Sequence, residues 1–113
     1  MIYAKFIKEN KEIKGFFLTG HAESGPFGHD LVCAASSALA IGTVNNLDRI
    51  LSDSPKINLD EVEGGYLELS LPIQMSRKEK EQAKILLESL YYSLLDLEEE
   101  HGQYITVKKL KNE

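Results

Sequence analysis

The stretch "GHAESGPFGHDLVCAA", residues 20–35, is where an alternating pattern gives way to a helical one. Upstream of it Ile2, Ala4 and Phe6 alternate with Tyr3 and Lys5, which predicts a strand over 2–8. "ENKE" reads as a turn, and "IKGFFLT" at 13–19 as the second strand of a hairpin. Gly20 to Gly28 reads as a loop, because Pro26 and three glycines disfavour regular structure. With a start at Asp30 or Leu31, Val32, Ala35, Leu39, Thr43, Leu47 and Ile50 recur three or four apart on one face. That periodicity predicts a helix ending near Ser52.

Further along, residues 57–62 and 66–71 flank "EGG", and Leu67, Leu69 and Leu71 alternate with Tyr66, Glu68 and Ser70. A second, half-buried hairpin follows from that alternation. Ser76 and Glu79 stand in capping-box spacing and open a second helix. Its apolar stripe is Ala83, Leu86, Leu87, Leu90, Tyr91, Leu94 and Leu97, and Gly102 is its stop. "QYITVKKL" at 103–110 reads as the last strand, with Ile105 and Val107 facing one way. The expected architecture is α/β: a single-domain ββαββαβ sandwich over residues 1–113, one mixed sheet with two helices. The last strand has to return across a helix, so some parallel pairing is expected.

The chain has 113 residues, 42% hydrophobic and 27% charged, enough for a core and a soluble surface. No apolar run approaches a membrane helix, and the first ten residues lack a signal peptide's pattern. A cytoplasmic location without membrane partners is therefore expected. The formal net charge of −5 argues against direct nucleic-acid binding, which calls for a basic face. A single cysteine makes no internal disulfide and leaves a reactive thiol open.

A helix beginning at Asp30 or Leu31 puts Cys33 in its first turn, where free amides and the macrodipole favour a thiolate and an oxyanion. Asp30 is either the helix cap or the group that orients a histidine. Of the two nearby histidines, His21 follows directly from a strand, whereas His29 sits beside flexible glycine; a base with a steady orientation favours His21. Gly25 and Gly28 let the loop between them fold over a substrate. An inert buried thiol is an equally physical reading of Cys33, since free cysteine is usually buried. His21, His29, Asp30 and Cys33 have the chemistry of metal ligands, but their spacing matches no standard zinc pattern. Phosphate chemistry is disfavoured, because no lysine or arginine occurs between Gly15 and Asn46.

The run His21, Ala22, Gly25, Gly28, Asp30, Leu31, Val32, Cys33, Ala34, Ala35 and Ser37 resembles the signature of the ribosomal-processing cysteine protease (Prp) family. The chain length and the element order resemble that family as well. The resemblance implies a cytoplasmic, homodimeric thiol protease without a cofactor. It implies removal of the N-terminal extension of large-subunit ribosomal protein number twenty-seven, with cleavage after a hydrophobic segment ending in Phe-Phe. It implies Cys33 and His21 as catalytic residues, with Asp30 in the same constellation as an orienting or structural group. Gly25, Phe27 and Gly28 would then belong to a substrate loop, and Phe16, Phe17, Phe27 and Leu31 are candidate walls for an apolar segment. The family usually carries an aliphatic residue where this chain has Ser36. The alternatives are a non-catalytic ribosome-associated binding module and, behind it, a metal-binding protein.

Overall fold

The computed structural model describes residues 1–20, 27–60 and 65–111, with the backbone alone over 27–30. The elements are β1 (Ile2–Glu9), β2 (Glu12–Thr19), α1 (Phe27–Ile50), β3 (Lys56–Asp60), β4 (Tyr66–Ser70), α2 (Arg77–His101) and β5 (Ile105–Lys111). The order is the expected ββαββαβ. All five strands form one sheet in the order β3-β4-β2-β1-β5. β5 runs parallel to β1, and the other neighbours are antiparallel. Thus α1 carries the chain from β2 over β4 to β3, and α2 carries it from β4 over β2 and β1 to β5.

The β1–β2 hairpin closes on Asn10 (φ 50°) and Lys11 (φ 66°), with Glu9 opposite Glu12. Two positive φ values in a two-residue loop match the twist of the flanking strands. Lys11 has a Cβ that disfavours this conformation. The Lys11→Gly variant is expected to be more stable by up to about 1 kcal/mol, read from its urea midpoint.

Both helices cover the same face of the sheet. Ile2, Ala4 and Phe6 of β1 are buried, as are Phe16 and Leu18 of β2, Leu67 and Leu69 of β4, and Ile105 and Val107 of β5. The register aligns Phe6 with Phe16 and Phe16 with Leu69, so these side chains form rows across the sheet. Phe6 stacks on Phe16 (centroids 5.6 Å apart) and meets the ring of Tyr91 edge-on at 5.2 Å. α2 buries Ala83, Leu87, Leu90 and Leu94, with Leu86, Tyr91 and Leu97 at the margin of the core, as its stripe predicts.

α1 departs from expectation twice. It begins at Phe27, a full turn before the predicted start at Asp30 or Leu31, and ends at Ile50. Pro26 and Gly28 read as loop formers, yet proline is compatible with a helix start and one glycine costs a helix only about 1 kcal/mol. Its buried face is Val32, Ser36, Ala40, Val44 and Leu47, continued by Leu51 just past its end, whereas Leu39 is 39% exposed. Apolar residues surround this helix, so size does not mark the inner face. On that face Ser36 and Ala40 let the helix approach its neighbours closely, while the equally small Ala34 and Ala38 are exposed. Ser36 is satisfied there by donating to the Cys33 carbonyl at 3.2 Å.

The capping box at α2 is present: Ser76 Oγ accepts from the Glu79 amide at 3.1 Å, and Glu79 Oε1 accepts from the Ser76 amide at 2.9 Å. Glu79 also does what its spacing could not predict. Its Oε2 accepts from the Ser52 amide at 2.7 Å, tying the exit of α1 to the entry of α2. Gly102 stops α2 at φ −60°, an ordinary helical angle, and not through a left-handed turn. The Ser52 amide, followed by Ser76, holds the Glu79 carboxyl below the usual carboxylate range. A lowered folded-state pKa contributes stability that is present above the unfolded value and lost as pH falls through the folded one. The Glu79→Gln variant should therefore be less stable than wild type at neutral pH. The gap should close below the ordinary carboxylate range, as checked by denaturant titrations across the acid limb.

Candidate active site

The end of β2 is built by a close approach of three backbones. Gly20 has φ +110°, and a Cβ there would collide with the Met1 carbonyl and lie 2.9 Å from Ile2 Cα. Gly65, at φ +72°, packs against Gly20 so tightly that its Cβ would stand 2.7 Å from the Gly20 carbonyl oxygen. Neither conformation suits a residue with a side chain. This corner fixes the chain at the residue before His21. The Gly20→Ala variant is expected to lose about 1–3 kcal/mol of stability, measured by chemical denaturation. Its activity should fall more than that of Gly42→Ala, where nothing crowds a new Cβ.

Cys33 is half-buried against the core, on α1. Because α1 starts at Phe27, Cys33 is the seventh helical residue and stands in the second turn. The free amides of a helix belong to its first four residues, here 27–30. The amides after Asp30, expected to hold an oxyanion, are thus within the hydrogen-bonded ladder. The macrodipole, which fades within the first turn, gives Cys33 less help than a first-turn position would. Asp30 is not the N-cap, because three helical residues precede it. It retains a favourable place for a carboxylate in the first turn.

Cys33, Ser37 and Ile41 follow one another at four-residue spacing and share a face of α1. Ser37 and Ile41 form one wall of a cleft of about 120 Å³ between α1 and the end of the sheet. Gly20, Leu18 and Leu67 lie on the sheet side, and Leu59, Asp60, Gly65 and Tyr66 complete the rim. Drug-sized pockets run from about 300 Å³ upward, so this cleft has room for a side chain and not for a large ligand. Burial, and after it the Glu68 carboxylate, holds the Tyr66 phenol above its ordinary value. Tyr66 borders the cleft at its rim, and its ring lies 6.5 Å from that of Phe17.

Of the expected apolar walls, Phe16 is in the core at 1% exposure. Phe17 lies on the sheet face away from the helices, opposite Lys5 and Glu68. Leu31 is exposed on α1. His21 and Gly25 lie outside the described residues, as do the side chains of Phe27, His29 and Asp30, and with them the metal-site alternative. The fold nevertheless brings the neighbour of His21 and the helical face of Cys33 to one place, since Gly20 and Ser37 border the same cleft. The four-residue spacing from Cys33 could have pointed to Ser37 and Ile41. Nothing in the sequence pointed to Leu59 and Tyr66, which arrive through strand register.

A mixed sheet with two helices in this order has close counterparts. A protein of known structure from Streptococcus mutans superposes with a TM-score of 0.87 at 33% identity, over 99% of this chain and 96% of that one. The Staphylococcus aureus ribosomal processing protease Prp, in complex with a substrate peptide, superposes with a TM-score of 0.82 at 28% identity, over 97% and 100% of the two chains. The ribosomal processing cysteine protease Prp of Bacillus subtilis is 31% identical over 98 residues, 87% of each chain. The class is that of a small α/β cysteine protease. The chain belongs to the cysteine protease Prp family, which it matches over residues 1–106.

Proposed function

We propose that residues 1–113 act as one endopeptidase domain that removes the N-terminal extension of large-subunit ribosomal protein number twenty-seven. Cleavage falls after a hydrophobic segment ending in Phe-Phe. The observation that carries this reading is that a chain of a cysteine protease family has one cysteine, Cys33, and that it shares its helical face with an apolar cleft. Relatives named as ribosomal processing proteases support the substrate class. A Staphylococcus aureus structure with a covalently linked product peptide supports a covalent route.

In this mechanism His21 takes the proton of Cys33, and the sulfur attacks the carbonyl after the second phenylalanine. The amide bond breaks, His21 returns the proton to the departing amine, and water hydrolyses the thioester. Asp30 orients His21 or supports the start of α1. Gly25, Phe27 and Gly28 form the loop that covers the bound segment. Leu18, Ile41, Leu59 and Leu67 accept one of its apolar side chains. An acidic enzyme attracts a basic ribosomal precursor and speeds encounter. The enzyme works in the cytoplasm as a homodimer, with no cofactor; among the described residues no helix is long and apolar enough to cross a membrane.

The test is hydrolysis of a peptide carrying the Phe-Phe segment. Cys33→Ala should lower kcat on the order of a thousand-fold or more. His21→Ala should fall nearly as far, and His29→Ala much less. Equal cleavage by wild type and Cys33→Ala would remove the thiol mechanism. A greater loss at His29 would transfer the base to that residue, and a folded wild type that leaves the peptide uncut would favour a non-catalytic binding module.

A further inference from the structure

The charge of this chain is segregated. β1 and β5 together carry five lysines and one glutamate, in a protein of formal net charge −5. The parallel register sets Lys5 opposite Lys108 and Lys8 opposite Lys111. Like charges directly opposite one another destabilise a sheet. Among the described residues none of these four lysines has a carboxylate partner. Lysines on an edge strand guard against unwanted pairing, which accounts for β5. That does not account for Lys5 and Lys8, because β1 is paired on both sides. The β5 edge is also partly closed already, since Glu98 accepts from the Val107 amide at 2.7 Å.

Aromatic rings lie beside Lys5 and Lys108 on the sheet face that no helix covers, whereas Lys8 and Lys111 alternate onto the helix side. Tyr3 is 44% exposed and one strand away from Phe17 on the diagonal, with Lys5 Nζ 5.7 Å from the Phe17 centroid. Phe17 in turn stacks near Tyr66, centroids 6.5 Å apart. Across the open face the row runs Glu68, Phe17, Lys5, Lys108, so the cations stand on the β1–β5 side of the rings. A sheet face presenting rings beside cations suits stacked bases and phosphates at once. An acidic peptide would use the lysines and leave the rings without a role. The overall charge predicts no nucleic-acid binding, but screening limits an exposed charge to about 8–10 Å. A local cluster therefore decides, and the net charge does not.

We propose that the β1–β5 side of the open sheet face binds single-stranded RNA, through Lys5 and Lys108 on phosphates and Tyr3 and Phe17 on bases. The cleft opens toward α1 on the helix side, whereas Tyr3, Lys5, Phe17 and Lys108 stand on the other face, with Tyr66 bordering both. Enzyme can then hold RNA and a peptide together.

The experiment is anisotropy of a short fluorescein-labelled oligouridylate titrated with full-length protein at several salt concentrations. Wild type should bind saturably at low salt. Lys5→Gln with Lys108→Gln should weaken binding at least about ten-fold and flatten the slope of log affinity against log salt by about 1.4. Tyr3→Ala should weaken binding about ten-fold with little change in that slope. Peptide turnover should remain that of wild type in both variants, and the urea midpoint of the double variant should not fall, since it removes an opposed pair of like charges. Absence of saturable binding by wild type, or equal binding by the double variant, would overturn the proposal. Displacement of the RNA by polyglutamate at equal lysine-dependent affinity would also overturn it, and would give the face to an acidic protein.

Discussion

The structure depends on one sheet face being dry. Phe6 stands near the middle of that face, stacked on Phe16 and edge-on to Tyr91, and it is wholly removed from water. Two helices are needed to cover five strands. Both connections must therefore lie on one side, which makes α1 and α2 neighbours. Everything at the site follows from this. α1 buries Val32, Ser36, Ala40 and Val44, and the adjacent flank, which carries Cys33, Ser37 and Ile41, borders the cleft through Ser37 and Ile41. Apolar burial sets the angle at which the thiol is presented.

The same constraint leaves the other sheet face open and its edges unequal. β5 is reinforced by lysines and by the Glu98 carboxylate on the Val107 amide. β3 is exposed along its whole length, and it lends Leu59, 58% exposed, to the cleft. An apolar side chain left in water at the rim of a cleft is a cost in the free protein that a ligand can relieve. The cleft and the lysine-rich strands thus lie toward opposite edges of one sheet. The acidic residues of α2 lie on the other layer, so a negative protein keeps a positive edge.

Much of this was legible in the residues. Alternation in Ile2, Ala4 and Phe6 identified β1, and the Ser76–Glu79 spacing identified the start of α2, because both are rules of local geometry. The gap-free run from His21 to Ser37 identified the family. The start of α1 was not legible, since Pro26 and Gly28 suit a loop and a helix start alike until packing chooses. Its inner face was legible only at its ends, where Val32 and Leu47 are buried as the periodicity predicts. Leu39 is larger than Ala40, yet Ala40 faces inward because the space between the helix and its neighbours is narrow.

The sequence by itself determined the element order, the hairpins, the capping box of α2, the single thiol and the family, all of which depend on neighbours a few residues apart. Only the tertiary structure decided that both helices share one face, that Cys33 stands in a second turn, and that Gly20 and Gly65 meet. The cleft is likewise a tertiary product: Leu18, Ile41, Leu59 and Tyr66 come from four elements. The reason is physical. Local signals act through the chain's own backbone, whereas the cleft and the lysine pairs arise from strand register and helix approach, which are set by burying the whole face at once.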